Sequence, residues 1–176
     1  AVPLLAAQIL WINLLTDAAP ALALGFDPPP PDVMTRPPRR PDERIIDSAM
    51  LVTVGVLGAV MAGATLIALD RRLPGGLIEG SGSLADARTA AFTTLVLAQL
   101  FNCFNARSDH RSAFVRGAGN RWMWAAVALS AALQVAVVEL PPLQRAFGTT
   151  ALSFGDWLWC LALASAVLWA AEALKL

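Results

Sequence analysis

Apolar residues fall in five blocks, at about 1–24, 45–69, 89–106, 122–140 and 154–176, parted by polar stretches rich in proline, glycine or arginine. About 20 apolar residues in a helix cross the hydrocarbon core of a bilayer, and each block is near that length. The pattern predicts an all-α, polytopic transmembrane helix bundle of five spans. Between the first two blocks lies PPPPDVMTRPPRRPDER, which cannot be regular helix and reads as a loop of about twenty residues, partly polyproline II. Glycine-rich 71–88 and basic 107–121 are the next loops, and Pro141-Pro142 closes the fourth block ahead of a loop over 143–153. Gly55, Gly58 and Gly63 of the second block are expected to let helix backbones approach closely.

Composition agrees. The 176 residues are 57% hydrophobic and 15% charged, with mean hydropathy +0.59. That excludes an ordinary soluble domain. A formal net charge of zero offers no general attraction to nucleic acid. Cys103 and Cys160 sit in apolar blocks and read as small buried hydrophobes. His110, among Arg107, Asp109 and Arg111, reads as a solvated loop residue. The chain opens inside an apolar block with no basic region before it, so it reads as a fragment of something longer rather than a signal peptide.

Arginine placement predicts orientation. Arg36, Arg39, Arg40 and Arg44 lie in the first loop, Arg107, Arg111, Arg116 and Arg121 in the third, and Lys175 at the end. The second and fourth loops hold only Arg71, Arg72, Arg88 and Arg145. Cytoplasmic loops carry the excess of positive charge, which places Ala1 on the non-cytoplasmic side and Leu176 in the cytoplasm. Trp122 and Trp124 then mark the inner interface, Trp157 and Trp159 the outer one.

The chemistry concentrates in Asn13-Leu14-Leu15-Thr16-Asp17. A carboxylate near the middle of a span costs roughly 2.5–3.5 kcal/mol on insertion scales and marks a functional site by default. Asn13, Thr16 and Asp17 stand at i, i+3 and i+4, which puts an amide, a hydroxyl and a carboxylate on one face of a helix. These are hard oxygen donors of the kind that calcium takes. Pro20 has no N–H to give the carbonyl of Thr16, and Pro3 weakens the other end of the block. The competing reading is a hydrogen bond to a neighbouring helix or an ion pair, but no Lys or Arg lies in mid-span to pair with Asp17. The third block carries Gln99, Asn102 and Asn105, either as a second ligand-bearing helix or as interhelical hydrogen bonding. Glu172 and Lys175 read as an interfacial anchor.

QILWINLLTDAAPALALGFDPPPPDVMTRPPR resembles the sixth membrane helix of type II P-type ATPases and the loop after it. The nearest pattern is that of calcium pumps of the sarcoplasmic-reticulum kind and their bacterial relatives. AQLFNCFNARSD is similar to the eighth helix, and the stretch from NRWMW to CLAL resembles the ninth and tenth, so the likeness covers essentially the whole chain. The five spans would be helices six to ten of a ten-helix pump in a bacterial-type plasma membrane. The resemblance implies that Asn13, Thr16 and Asp17 are calcium ligands, with Asp17 shared between two sites. Sodium–potassium pumps usually have Asp at the position of Asn13. Gln99 matches an eighth-helix position that is Glu in two-site pumps; it keeps an oxygen and loses a charge, as in plasma-membrane-type calcium pumps that move one ion. Arg36, Arg39 and Arg40 would lie in a loop that contacts the phosphorylation domain, or would serve only to fix orientation. The chain has no DKTG motif and no glycine-rich nucleotide loop, so it is not catalytic alone. ATP and magnesium would be engaged only by other domains, while lipid and the remaining helices and cytoplasmic domains would be its partners. A non-catalytic scaffold or pump remnant, or the same architecture moving another cation, is the alternative.

Overall fold

The computed structural model describes residues 3–26, 48–77, 80, 82–106 and 120–175. These residues form seven α-helices and one π-helical turn, with no strand among them. The first span is broken into α1 (Ala6–Asn13), the π-helical turn Leu14–Ala18 and α2 (Ala19–Gly25). The long helices are α3 (Ser48–Arg72), α4 (Leu84–Asn105), α5 (Arg121–Glu139) and α7 (Phe154–Leu174), and α6 (Pro141–Phe147) is short. Helix positions follow the five blocks to within a few residues.

Among the described residues three helices are long and apolar enough to cross a membrane: Met50–Arg72, Arg121–Glu139 and Phe154–Leu174. The five-span count is not reached on length and composition. The first span is interrupted by its turn. The other case, α4, is central. It packs on α3, α5 and α7, and Ala87, Thr89, Ala90, Phe92, Thr93, Thr94 and Val96 are all buried. A helix enclosed by other helices need not be apolar all round, because its neighbours and not lipid set the cost of its hydroxyls.

Cores are small and local. Ile12 and Leu15 of the first span meet Phe92, Val96 and Leu100 of α4 and Val137 of α5. Leu57 of α3 meets Ala98 of α4 and Ala164 and Val167 of α7. Ala68, Ala90 and Cys160 bring α3, α4 and α7 together through small side chains. The glycines of α3 do not take part: a Cβ at Gly55, Gly58 or Gly63 would meet nothing within 4 Å. Leu57, Ala64 and Ala68 are buried on that helix instead, so alanine and not glycine sets the approach.

Pro141 and Pro142 close α5 and also open α6. Proline suits the first helical positions, where its missing N–H costs nothing. Both prolines deny α5 a donor, at the carbonyls of Val137 and Val138. Thr149 Oγ1 donates to the first at 2.7 Å and Gln144 Nε2 to the second at 2.6 Å. Gly148, at φ +63°, ends α6 in the left-handed conformation that glycine adopts without strain.

Two capping boxes of one design start α4 and α7: Ser83 with Asp86, and Ser153 with Asp156. In each, the second carboxylate oxygen reaches a distant element. Asp86 Oδ1 accepts from Thr150 Oγ1 at 2.7 Å, and Asp156 Oδ1 takes the Arg72 guanidinium at the end of α3. Arg71 lies over the Trp159 ring, 4.4 Å from its centre. Glu172 and Lys175 are paired at 3.3 Å, as read from the sequence.

The Ser83 backbone N–H, and after it the Thr150 hydroxyl, hold the Asp86 carboxyl below its ordinary value of 3.8. A depressed folded pKa stabilises in full above the unfolded value and is lost as pH falls through the folded one. Hydrogen exchange at the first turn of α4 should therefore lose protection as pH drops below about 4, the ordinary carboxyl range. Asp86→Asn should remove that dependence; protection unchanged between pH 6 and pH 3 would sink the assignment.

Candidate functional site

Two prolines bracket the first span. Pro3 and Leu4 lie in bends ahead of α1, and Pro20 is buried at the second position of α2. Between them the chain takes a π-helical turn, a form that recurs at functional sites in otherwise regular helices. The sequence puts Asn13, Thr16 and Asp17 on one helical face with a disturbance at Pro20, and the π-helical turn is the form that the disturbance takes. Asn13 ends α1 and is exposed. Thr16 and Asp17 lie within the turn, and the structure describes their backbone.

Asn13 and Gln99 line one cavity of about 510 Å³, with Pro20, Met61, Asn102 and Cys103 also in its wall. The first span, α3 and α4 each contribute to it. Gln99 Oε1 is buried and without a hydrogen-bond partner. A buried amide oxygen left unpaired costs on the order of 1–3 kcal/mol, and Asn105 Oδ1 is in the same state. The two readings of the polar face on α4 divide by residue. Asn105 Nδ2 donates to the Val167 carbonyl of α7 at 3.4 Å, which is interhelical bonding, and to Asn102 Oδ1 of its own helix at 3.5 Å. Gln99 instead joins Asn13 at the cavity.

The other side of the first span is fastened. Gln8 Nε2 donates to the Phe147 carbonyl at 3.1 Å, and Trp11 stands edge-on to Phe147 with ring centres 5.1 Å apart. Trp11 Nε1 donates to Gln134 Oε1 at 3.2 Å. Ser130 Oγ donates to the Leu15 carbonyl at 3.3 Å. Asn120 caps α5 through Oδ1 and donates from Nδ2 to the Ala23 carbonyl at 2.9 Å, tying the end of α2 to the start of α5. Gln8, Trp11, Ser130 and Gln134 were not singled out from the sequence. The i, i+4 spacing of Ser130 and Gln134 in an apolar helix was the available signal.

Arg36, Arg39, Arg40 and His110 lie outside the described residues. Among the described residues no group of three His, Cys, Asp or Glu side chains could hold a metal ion. Beside Cys103, whose Sγ donates to the Gln99 backbone carbonyl at 3.2 Å, the polar side chains of the cavity are the amides of Asn13, Gln99 and Asn102, and amide oxygens suit hard cations.

Comparison with known proteins gives the family. The family described as "Cation transporting ATPase, C-terminus" matches residues 1–176. The chain is 42% identical over 160 residues to a calcium-transporting ATPase of Bacillus subtilis, covering 89% of the chain and 17% of that protein. It is 38% identical over 175 residues to calcium-transporting ATPase type 2C member 2 of Rattus norvegicus, covering 99% of the chain and 18% of that protein. It is 34% identical over 168 residues to a probable cation-transporting ATPase F of Mycobacterium tuberculosis, covering 95% of the chain and 18% of that protein. The chain thus spans less than a fifth of the length of these relatives. With a family match over its whole length and three helices fit to cross a bilayer, this is an integral membrane chain that belongs to the cation transporting ATPase C-terminal family.

Proposed function

We propose that the chain is the ion-binding and supporting membrane part of an ATP-driven cation pump, and that the ion is calcium. The observation that carries the reading is the unpartnered Gln99 oxygen at the cavity that Asn13 lines. Asn13, Thr16 and Asp17 supply amide, hydroxyl and carboxylate oxygens from one broken helix, and Gln99 supplies a neutral oxygen from a second. A broken helix at mid-membrane leaves backbone and side-chain oxygens turned to an ion, a device shared by many transporters. Five spans cross the bilayer, with Ala1 outside and Leu176 in the cytoplasm of a bacterial-type plasma membrane. ATP and magnesium bind elsewhere in the pump, and Arg36, Arg39 and Arg40 relay ion occupancy to its cytoplasmic domains by pairing with acidic groups there. Lipid and the remaining parts of the pump are the partners.

The test is ATP-driven uptake of radioactive calcium into inverted membrane vesicles carrying the intact pump. Saturable uptake should accompany one calcium bound per phosphoenzyme, because Gln99 brings no charge for a second ion. Uptake indifferent to calcium, with another cation driving phosphorylation, overturns the choice of ion. No ATP-driven cation uptake of any kind leaves a non-catalytic scaffold.

A further inference from the structure

The π-helical turn creates a vacancy in the backbone ladder, and α5 fills it. In a π-helical turn each N–H reaches the carbonyl five residues back. For the carbonyl of Leu15 that donor would be Pro20, which has no N–H. Ser130 Oγ donates to this carbonyl instead, at 3.3 Å across 115 positions of chain. Ser130 is 1% exposed and Leu15 5%, so water is not an alternative partner. One helical turn further along α5, Gln134 is fully buried and both of its ends are used. Its Oε1 accepts from Trp11 Nε1 at 3.2 Å, and its Nε2 donates to Thr93 Oγ1 of α4 at 3.4 Å.

We propose that Ser130 and Gln134 are positioning residues that hold the first span in its π-helical register and so set its affinity for the cation. This rests on the function proposed above. Leu15 lies two residues from Asn13 and Asp17 and beside Thr16. A change of hydrogen-bond register at Leu15 rotates the backbone of everything after it, Thr16 and Asp17 included, relative to Asn13. Without the Ser130 hydroxyl, the Leu15 carbonyl is satisfied best by a regular α-helical bond from Ala19, which is that change of register. Gln134 sets the other end: it ties Trp11, two residues before Asn13, to α4, the helix that carries Gln99.

The experiment is a calcium titration of phosphorylation from ATP, in membranes containing the intact pump. Ser130→Ala should raise the half-saturating calcium concentration about five- to tenfold, the scale of one buried hydrogen bond. Phosphoenzyme at saturating calcium should stay at the wild-type level. Ser130→Thr keeps the hydroxyl and should fall within about twofold of wild type, with Ser130→Cys, a weaker donor, between. Gln134→Leu should shift the curve in the same direction. A role in folding alone would lower phosphoenzyme at every calcium concentration and leave the midpoint in place, in Ser130→Cys as well as Ser130→Ala; that result overturns the proposal. An unmoved midpoint in Ser130→Ala beside an Asp17→Asn variant that has lost calcium dependence overturns it while the pump reading stands. Asp17→Asn with wild-type calcium dependence removes the pump reading and this inference with it.

Discussion

Asp17→Asn should abolish calcium-dependent phosphorylation of the intact pump at micromolar calcium. Asp17 is the one carboxylate that the described spans and their sequence offer in mid-membrane on the first span. Asn13, Thr16 and Gln99 are neutral. A divalent ion stripped of water in a low-dielectric site needs compensating charge, and amide oxygens alone do not supply it. Removing one partner of a buried charge pair costs about 2–5 kcal/mol. At 1.4 kcal/mol per decade that is a loss of roughly 30- to several-thousand-fold in affinity. The variant is nearly isosteric, so the fold should survive. Binding of a fluorescent ATP analogue at the wild-type level would show that it does. Undiminished calcium-dependent phosphoenzyme would remove Asp17 from the site, and with it the case for an ion-binding first span.

Arg72→Ala should cost about 2–3 kcal/mol of stability, the largest expected effect away from the proposed ion site. Asp156 caps α7 through Ser153 and is only 8% exposed. The Arg72 guanidinium reaches it from α3, 84 positions away in the chain. Breaking a buried pair by removing one partner costs about 3–5 kcal/mol, since the remaining charge stays desolvated. The Arg72 side chain is 30% exposed, which brings the figure down toward the surface-pair range. Removing both partners should hurt less than removing Arg72 alone, because no orphan charge is left. Thermal or denaturant unfolding of the detergent-solubilised protein, run on both single variants and the double, measures the difference. An Arg72→Ala variant within 0.5 kcal/mol of wild type, the ordinary range for surface changes, would mean that Asp156 is solvated after all.

Helix positions were legible in the sequence, because apolar length, caps and proline act over a few residues. α3 was expected over 45–69 and is Ser48–Arg72; α5 was expected over 122–140 and is Arg121–Glu139. The break in the first span was half legible: Pro20 signalled a disturbed carbonyl, while the π-helical turn was not foreseen. Pro141-Pro142 read as an end and is also a beginning, because the same missing N–H that stops one helix suits the start of the next.

Only the tertiary structure decided which polar side chains of α4 face the cavity and which bond to α7. It also decided which small residues of α3 touch another helix. Gln99, Asn102 and Asn105 are chemically alike, and their roles follow from what happens to lie opposite each. The same holds for Gly58 against Ala68. In lipid an apolar face meets acyl chains or another helix at similar cost, so hydropathy cannot separate a packed face from a free one. The sequence by itself thus determined the helices, the charge asymmetry and the oxygen donors of the first span. The contacts of Ser130 with Leu15 and of Arg72 with Asp156 join positions 115 and 84 residues apart, and no local rule of sequence reaches that far.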